Sequence, residues 1–186
     1  MIPITNYHVF KSTNEIPETW YALAQHNPFL GLPYLRFLEK ASPANFKNYF
    51  IGLYAEHQLV GICLAQGVDL RMVNHFGQRD SFLKKTIRGF LFKNFSGKLL
   101  IIGNNLMTGA PCHQWRADVD PASAMACLKR MIQEQFKAQI HLCIFKDFRE
   151  QEASYFKKSE NNPFLTFTAQ PNMHLQLRHT WTSLAD

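Results

Sequence analysis

Between Asn48 and Arg71, in the stretch NYFIGLYAEHQLVGICLAQGVDLR, two mostly apolar runs flank a short polar one. Two apolar runs of strand length joined by a polar turn predict a long β-hairpin. Its arms are Tyr49–Ala55 and Leu59–Leu70, its turn is the polar Glu56-His57-Gln58, and Val60-Gly61 makes a step in the second arm. Gly67 marks a bulge in that arm. Upstream, Tyr7–Lys11 reads as a short strand and Pro17–Gln25 as a helix with Trp20, Leu23 and Ala24 on one face. Asn27-Pro28 breaks it. Pro33–Ala41 is a second helix, with Tyr34, Leu35, Phe37 and Leu38 inward, ended by Ser42-Pro43.

Downstream, Asp80 or Ser81 caps a basic amphipathic helix running to about Phe95, with Leu83, Ile87, Phe90, Leu91 and Phe95 as its apolar positions. Gly89 weakens it by about 1 kcal/mol relative to Ala. Lys98–Gly103 is a core strand, and Asn104–Val119 a long connection. Asp120-Pro121 opens a helix that extends to about Ala138: an N-cap carboxylate, then a proline at the first helical position. Met125, Leu128, Met131, Ile132 and Phe136 point inward. Ile140–Phe145 is the next strand and Glu150–Lys158 a short helix. Phe164–Ala169 and Met173–Leu177 pair around the turn Gln170-Pro171-Asn172. The sum is an α/β (α+β) domain with a mixed, mostly antiparallel central sheet flanked by helices.

Composition narrows this picture. A chain of 186 residues is one domain by length, and 46% hydrophobic against 18% charged residues excludes a disordered chain. No apolar run approaches the roughly 20 residues of a membrane span, and no charged segment followed by an apolar one reads as a signal peptide. Cys63, Cys112, Cys127 and Cys143 have no CxxC or Cys/His spacing and read as buried free thiols in a reducing, cytoplasmic setting. The eight histidines show no metal spacing, so no metal site is expected. No GxSxG, phosphate-loop or dinucleotide fingerprint is present.

Charge is concentrated. Between Arg71 and Lys98 seven basic residues face one acid, Asp80, so this segment carries +6, equal to the net charge of the chain. A focused positive patch attracts a polyanion or an anionic surface. Arg79, Lys84, Lys85 and Arg88 are the anion-binding candidates; the plainer reading is a solvated basic face over a phenylalanine-rich core.

Several motifs carry a family resemblance. They are Asn27-Pro28-Phe29-Leu30 leading into Tyr34-Leu35, the hairpin step Leu59-Val60-Gly61, and the run from Gly103 through Asn104 and Asn105 to Gly109. Lys146-Asp147-Phe148 and Gln170-Pro171-Asn172-Met173 before Trp181 complete the set. With the element order, they make the chain resemble GNAT-type N-acyltransferases, and more closely the N-terminal half of bacterial Fem-type, peptidoglycan-biosynthesis-like acyltransferases. That family has two GNAT-like halves. The tail Trp181–Asp186 reads as the start of a further helix, so a longer two-half protein is expected.

The resemblance implies acyl or aminoacyl transfer to an amine, with this half shaping the acceptor cleft and the donor carried mainly by a second half. It implies acyl-CoA or aminoacyl-tRNA as donor and tRNA as an anionic partner, while the basic segment by itself equally suits a CoA phosphate or a membrane surface. It also implies Tyr155 as the acid toward a leaving thiolate. The alternative is a non-catalytic GNAT-like scaffold meeting an anionic partner through its basic helix.

The residues qualify this. A pyrophosphate would need free amides at the start of the helix after the fourth strand. Gly103 and Gly109 lie far from that start, Asp120 puts a negative charge there, and Pro121 removes a donor. A standard CoA site is therefore not expected at this junction. Asn104, Asn105, Thr108 and His113, in the connection, are candidate substrate ligands; the asparagines equally suit Asx-turns. Lys146 and Asp147 end a buried strand, where ligands gather in open α/β sheets. Asp147 is a candidate base toward an amine or an orienter of Lys146, and equally a helix cap or a partner of Arg149.

Overall fold

The hairpin forms where the two apolar runs and their polar turn predict it, and it organises the rest. The computed structural model describes residues 1–70, 97–107, 109, 111–148 and 152. Within these, β1 is Asn6–Phe10, β2 Phe46–Ala55, β3 Gln58–Asp69, β4 Lys98–Ile102, β5 His113–Trp115 and β6 Leu142–Phe145. The helices are α1 (Trp20–Ala24), α2 (Leu32–Ala41) and α3 (Pro121–Met131), the last continuing into a π-helical turn, Ile132–Phe136. The sheet order is β1-β2-β3-β4-β6, with β5 also pairing β3. Every pair is antiparallel except β4–β6, which is parallel. The fold is thus a mixed α+β arrangement with a mostly antiparallel open sheet flanked by helices.

Period-two alternation sends side chains to two separate cores. Ile51, Leu53, Cys63, Ala65, Leu100 and Ile102 pack with Met125, Leu128 and Met131 of α3. Phe50, Ile62 and Leu64 pack on the other face with Trp20, Leu30, Leu35 and Leu38 of the first helical layer. Side chains as fully enclosed as Leu53, Leu64 and Leu100 each contribute about 1.5–3 kcal/mol by leaving water.

The bulge lies at Val60, not at Gly67. Leu53 pairs with Gly61 and Tyr54 with Leu59, so Val60 is the extra residue. Without it Val60 and Ile62 would share a face; with it Val60 and Cys63 join the α3 core while Ile62 joins the other. Gly67 instead pairs regularly with Lys47.

Other elements differ in extent. The first helix is reduced to Trp20–Ala24, preceded by a turn in which Trp20 N donates to Pro17 O. Phe37 is 58% exposed, because the inward stripe of α2 runs through Leu32, Leu35 and Leu38. β6 begins at Leu142 rather than Ile140. The connection after β4 contains a strand: His113–Trp115 pairs antiparallel with Gly61–Cys63. The start of α3 is as expected, with the Asp120 carboxylate accepting from Ala122 N and Ser123 N. The helix yields to the π turn before the expected end, and that turn brings Phe136 edge-on to Tyr49 at 5.0 Å.

The predicted basic helix, the short helix Glu150–Lys158 (apart from Glu152), the strand pair Phe164–Ala169 and Met173–Leu177, and the Trp181–Asp186 tail lie outside the described residues. Among the described residues no helix is long and apolar enough to cross a membrane.

Candidate functional site

β3 carries two partners end to end on one edge: β5 along Gly61–Cys63 and β4 along Ala65–Asp69. Leu64 sits between them and holds both. Its N–H donates to Cys112 O at 2.9 Å, and its carbonyl accepts from Gly103 N at 2.9 Å. The excursion between Gly103 and Cys112 therefore leaves and returns at one residue. Its mouth lies at the C-terminal ends of the parallel strands β4 and β6.

At that mouth β4 and β6 stay paired, with Lys146 N donating to Ile102 O at 2.9 Å. Gly103 has φ +136, and a Cβ there would sit 3.0 Å from Lys146 O. Glycine is required on both counts: positive φ and close backbone approach. Asp147 follows with φ 59, a left-handed conformation that aspartate tolerates better than most residues.

Lys146 Nζ donates to Asp147 Oδ2 at 2.6 Å and to the carbonyl of Met107 in the excursion. The two side chains are 22% and 13% exposed. Among the described residues Asp147 Oδ1 has no hydrogen-bond partner. Among the described residues the site thus offers one unpartnered carboxylate oxygen beside an ammonium already bound.

Asn104 is almost fully enclosed, at 1% exposure. Its Nδ2 donates to the Tyr34 hydroxyl at 2.5 Å, and its Oδ1 accepts from Leu106 N at 2.9 Å in an Asx-turn. Asn105 is exposed, and its backbone N–H donates to Gln66 Oε1 at 2.7 Å. Both asparagines fix the excursion. Cys112 bonds to Asn104. Burial pushes its thiol up to about 11, reinforced by the Asp147 carboxylate and offset in part by Lys146. It is a neutral thiol near pH 7, not a thiolate nucleophile.

His113 belongs to the α3 side of the sheet. Its ring stacks on Trp115 at 4.5 Å and on Phe148 at 4.2 Å, and Nε2 lies 3.0 Å from Glu152 Oε1. Gly61 faces this stack: a Cβ there would lie 3.3 Å from Trp115 Cβ.

Of the sequence-predicted residues, the structure brings Lys146 and Asp147 together; Asn104 bonds instead to Tyr34 and Leu106, and His113 lies in an aromatic stack with Trp115 and Phe148. Thr108, Tyr155, Arg79, Lys84, Lys85 and Arg88 lie outside the described residues. The residues missed were Gln66, Tyr34, Cys112 and Glu152 as members of the site. Gln66 had a signal, a polar residue inside an apolar strand run; Glu152 reaches His113 across 39 positions and had none.

The start of α3 is closed to an anion. Asp120 Oδ1 and Oδ2 take Ala122 N and Ser123 N at 3.1 Å each, the donors a phosphate would need, and the residue between is Pro121. Compared with protein-family models, curated proteins and solved structures, the chain matches none.

Proposed function

We propose that this chain is a GNAT-like acyltransferase domain that holds and orients an amine acceptor, while the acyl donor is carried mainly by a second GNAT-like half. The observation that carries this reading is the Lys146–Asp147 pair at the C-terminal ends of the parallel strands, with Oδ1 of Asp147 free to accept. Lys146 already presents an ammonium to Asp147 and to the Met107 carbonyl. The same two acceptors suit the ammonium of an incoming substrate, which would share or displace Lys146. Asp147 then orients the amine and takes a proton from it, so that the nitrogen bonds to the acyl carbon while the donor's C–S or C–O bond breaks and its thiol or tRNA hydroxyl leaves. The sealed α3 start supports placing an acyl-CoA or aminoacyl-tRNA donor elsewhere.

A second reading rests on a different observation. Leu70 N donates to Gly97 O at 2.8 Å, so the basic segment leaves and rejoins the sheet at one point, next to Lys98. This suits a non-catalytic module that presents the segment, with Arg79, Lys84, Lys85 and Arg88, to an anionic partner such as tRNA or a membrane surface.

Backbone-amide NMR separates the readings. Cadaverine, a simple primary diamine, is expected to shift the amides around Asp147, Met107 and Asn104, and acetyl-CoA to leave those of Asp120–Ala124 unmoved. Absence of any cadaverine shift at Asp147 favours the module; acetyl-CoA shifts at the α3 start overturn the placement of the donor.

A further inference from the structure

At the other end of the sheet from Lys146, two adjoining cavities of ≈ 380 Å³ and ≈ 290 Å³ open between the strands and the π turn. They share Lys47, Tyr49, Phe136 and Gln139 as a common wall. Their sizes fall near the lower end of the range for small-molecule sites, about 300–1,000 Å³.

Three features give the groove a chemistry. First, it is cationic: Lys11 lines the larger cavity, Lys98 the smaller and Lys47 both, against a single carboxylate, Asp69. Among the described residues none of the three ammonium groups has an ion-pair partner. Second, it has an aromatic wall with an unused donor. The Tyr49 ring is held edge-on by Phe136, and its hydroxyl has no hydrogen-bond partner among the described residues. Burial pushes that phenol above its ordinary value, so it remains a neutral O–H. Third, the floor carries a glycine, with the Tyr49 ring leaning on one side of it. Gly67 stands between Lys47 on β2 and Leu100 on β4, and a Cβ there would come within 3.2 Å of the Tyr49 ring.

We propose that this groove binds a nucleotide-sized phosphate ester. The phosphate lies between Lys47 and Lys98 beside Gly67, and a planar ring lies in the larger cavity beside the half-buried Tyr49, with its hydroxyl and the Gln135 and Gln139 amides at the edge. A phosphate monoester carries about −1.5 to −2 charge, which two lysines on different strands match. The amides offer both donors and acceptors to a heterocycle. The site goes beyond the acceptor reading and does not depend on it: Lys98 and Gly103 are separated by about 16 Å along β4.

Calorimetric titration with ADP and with inorganic pyrophosphate, at 150 mM salt to suppress diffuse attraction, tests this. ADP is expected to bind saturably at one site per chain and more tightly than pyrophosphate. Lys47→Glu should weaken ADP by about tenfold or more, and Tyr49→Phe, which removes only an unpartnered hydroxyl, by about fivefold. Lys40→Glu on exposed α2, across the sheet, should change nothing. Circular dichroism checks that Lys47→Glu is folded, and Tyr49→Phe tests the site if it is not. No saturable ADP binding, pyrophosphate binding as tightly as ADP, or equal weakening by Lys40→Glu overturns the proposal.

Discussion

Replacing Asp120 with alanine tests whether its carboxylate truly occupies the anion-binding end of α3. The substitution removes two hydrogen bonds, from Ala122 N and Ser123 N, both at 3.1 Å. Loss of an N-cap side chain costs about 1 kcal/mol, and loss of a negative charge at a helix N-terminus about 0.3–1 kcal/mol more. Backbone links at the same residue are untouched: Asp120 N to Ile2 O at 3.0 Å, and Ser123 Oγ to Asp120 O at 2.7 Å. The expected destabilisation is therefore about 1.5–2 kcal/mol for Asp120→Ala. For Asp120→Asn, which keeps a side-chain oxygen, about 0.5 kcal/mol is expected. Urea denaturation reads both as shifts in midpoint at constant m-value. High salt should erode the charge part and leave the hydrogen-bond part. An Asp120→Ala protein as stable as wild type would refute the reasoning, since the amides would then not depend on this carboxylate and the helix end would be open to a phosphate. So would an Asn variant as damaged as the Ala variant.

Other predictions follow the same logic. Gly103→Ala forces a side chain into positive φ against Lys146 O, and is expected to cost about 1–3 kcal/mol in chemical denaturation. His113→Ala empties the space between Trp115 and Phe148 and leaves Glu152 without its imidazole partner; about 3 kcal/mol is expected by the same assay. Burial pushes the Glu39 carboxyl up, but hydrogen bonds from Thr13 and Ser12 outweigh it, and the net value lies below the ordinary one. A depressed carboxyl stabilises the fold above its unfolded value of 4.5 and loses that contribution as pH falls through the folded value. Glu39→Gln should therefore lower stability at pH 7 and flatten part of the acid-side decline in melting temperature; an unchanged pH profile would contradict this.

What the sequence disclosed depended on how local each feature is. The hairpin was legible because two apolar runs, Tyr49–Ala55 and Leu59–Leu70, flank a polar turn, and both of their faces are buried. The start of α3 was legible because Asp120-Pro121 states its own geometry. β5 was not, since three residues, His113–Trp115, carry too little pattern and their strand character comes from pairing with Gly61–Cys63. The bulge at Val60 was misplaced to Gly67 because glycine signals a bulge only when it lacks a packing reason, and here the Tyr49 ring supplies one. At the site, Lys146 and Asp147 were found as neighbours at a strand end. The Met107 carbonyl, the Asn104–Tyr34 bond and the His113–Glu152 pair are long-range, and no local spacing announces them.

The most direct test of the central claim is the affinity of cadaverine for wild type, Lys146→Met and Asp147→Asn, measured by calorimetry. If Asp147 holds the acceptor amine and Lys146 competes for the same carboxylate, Lys146→Met binds more tightly than wild type and Asp147→Asn loses binding. Equal affinity in all three proteins would mean that the diamine binds elsewhere, and that the Lys146–Asp147 pair is structural.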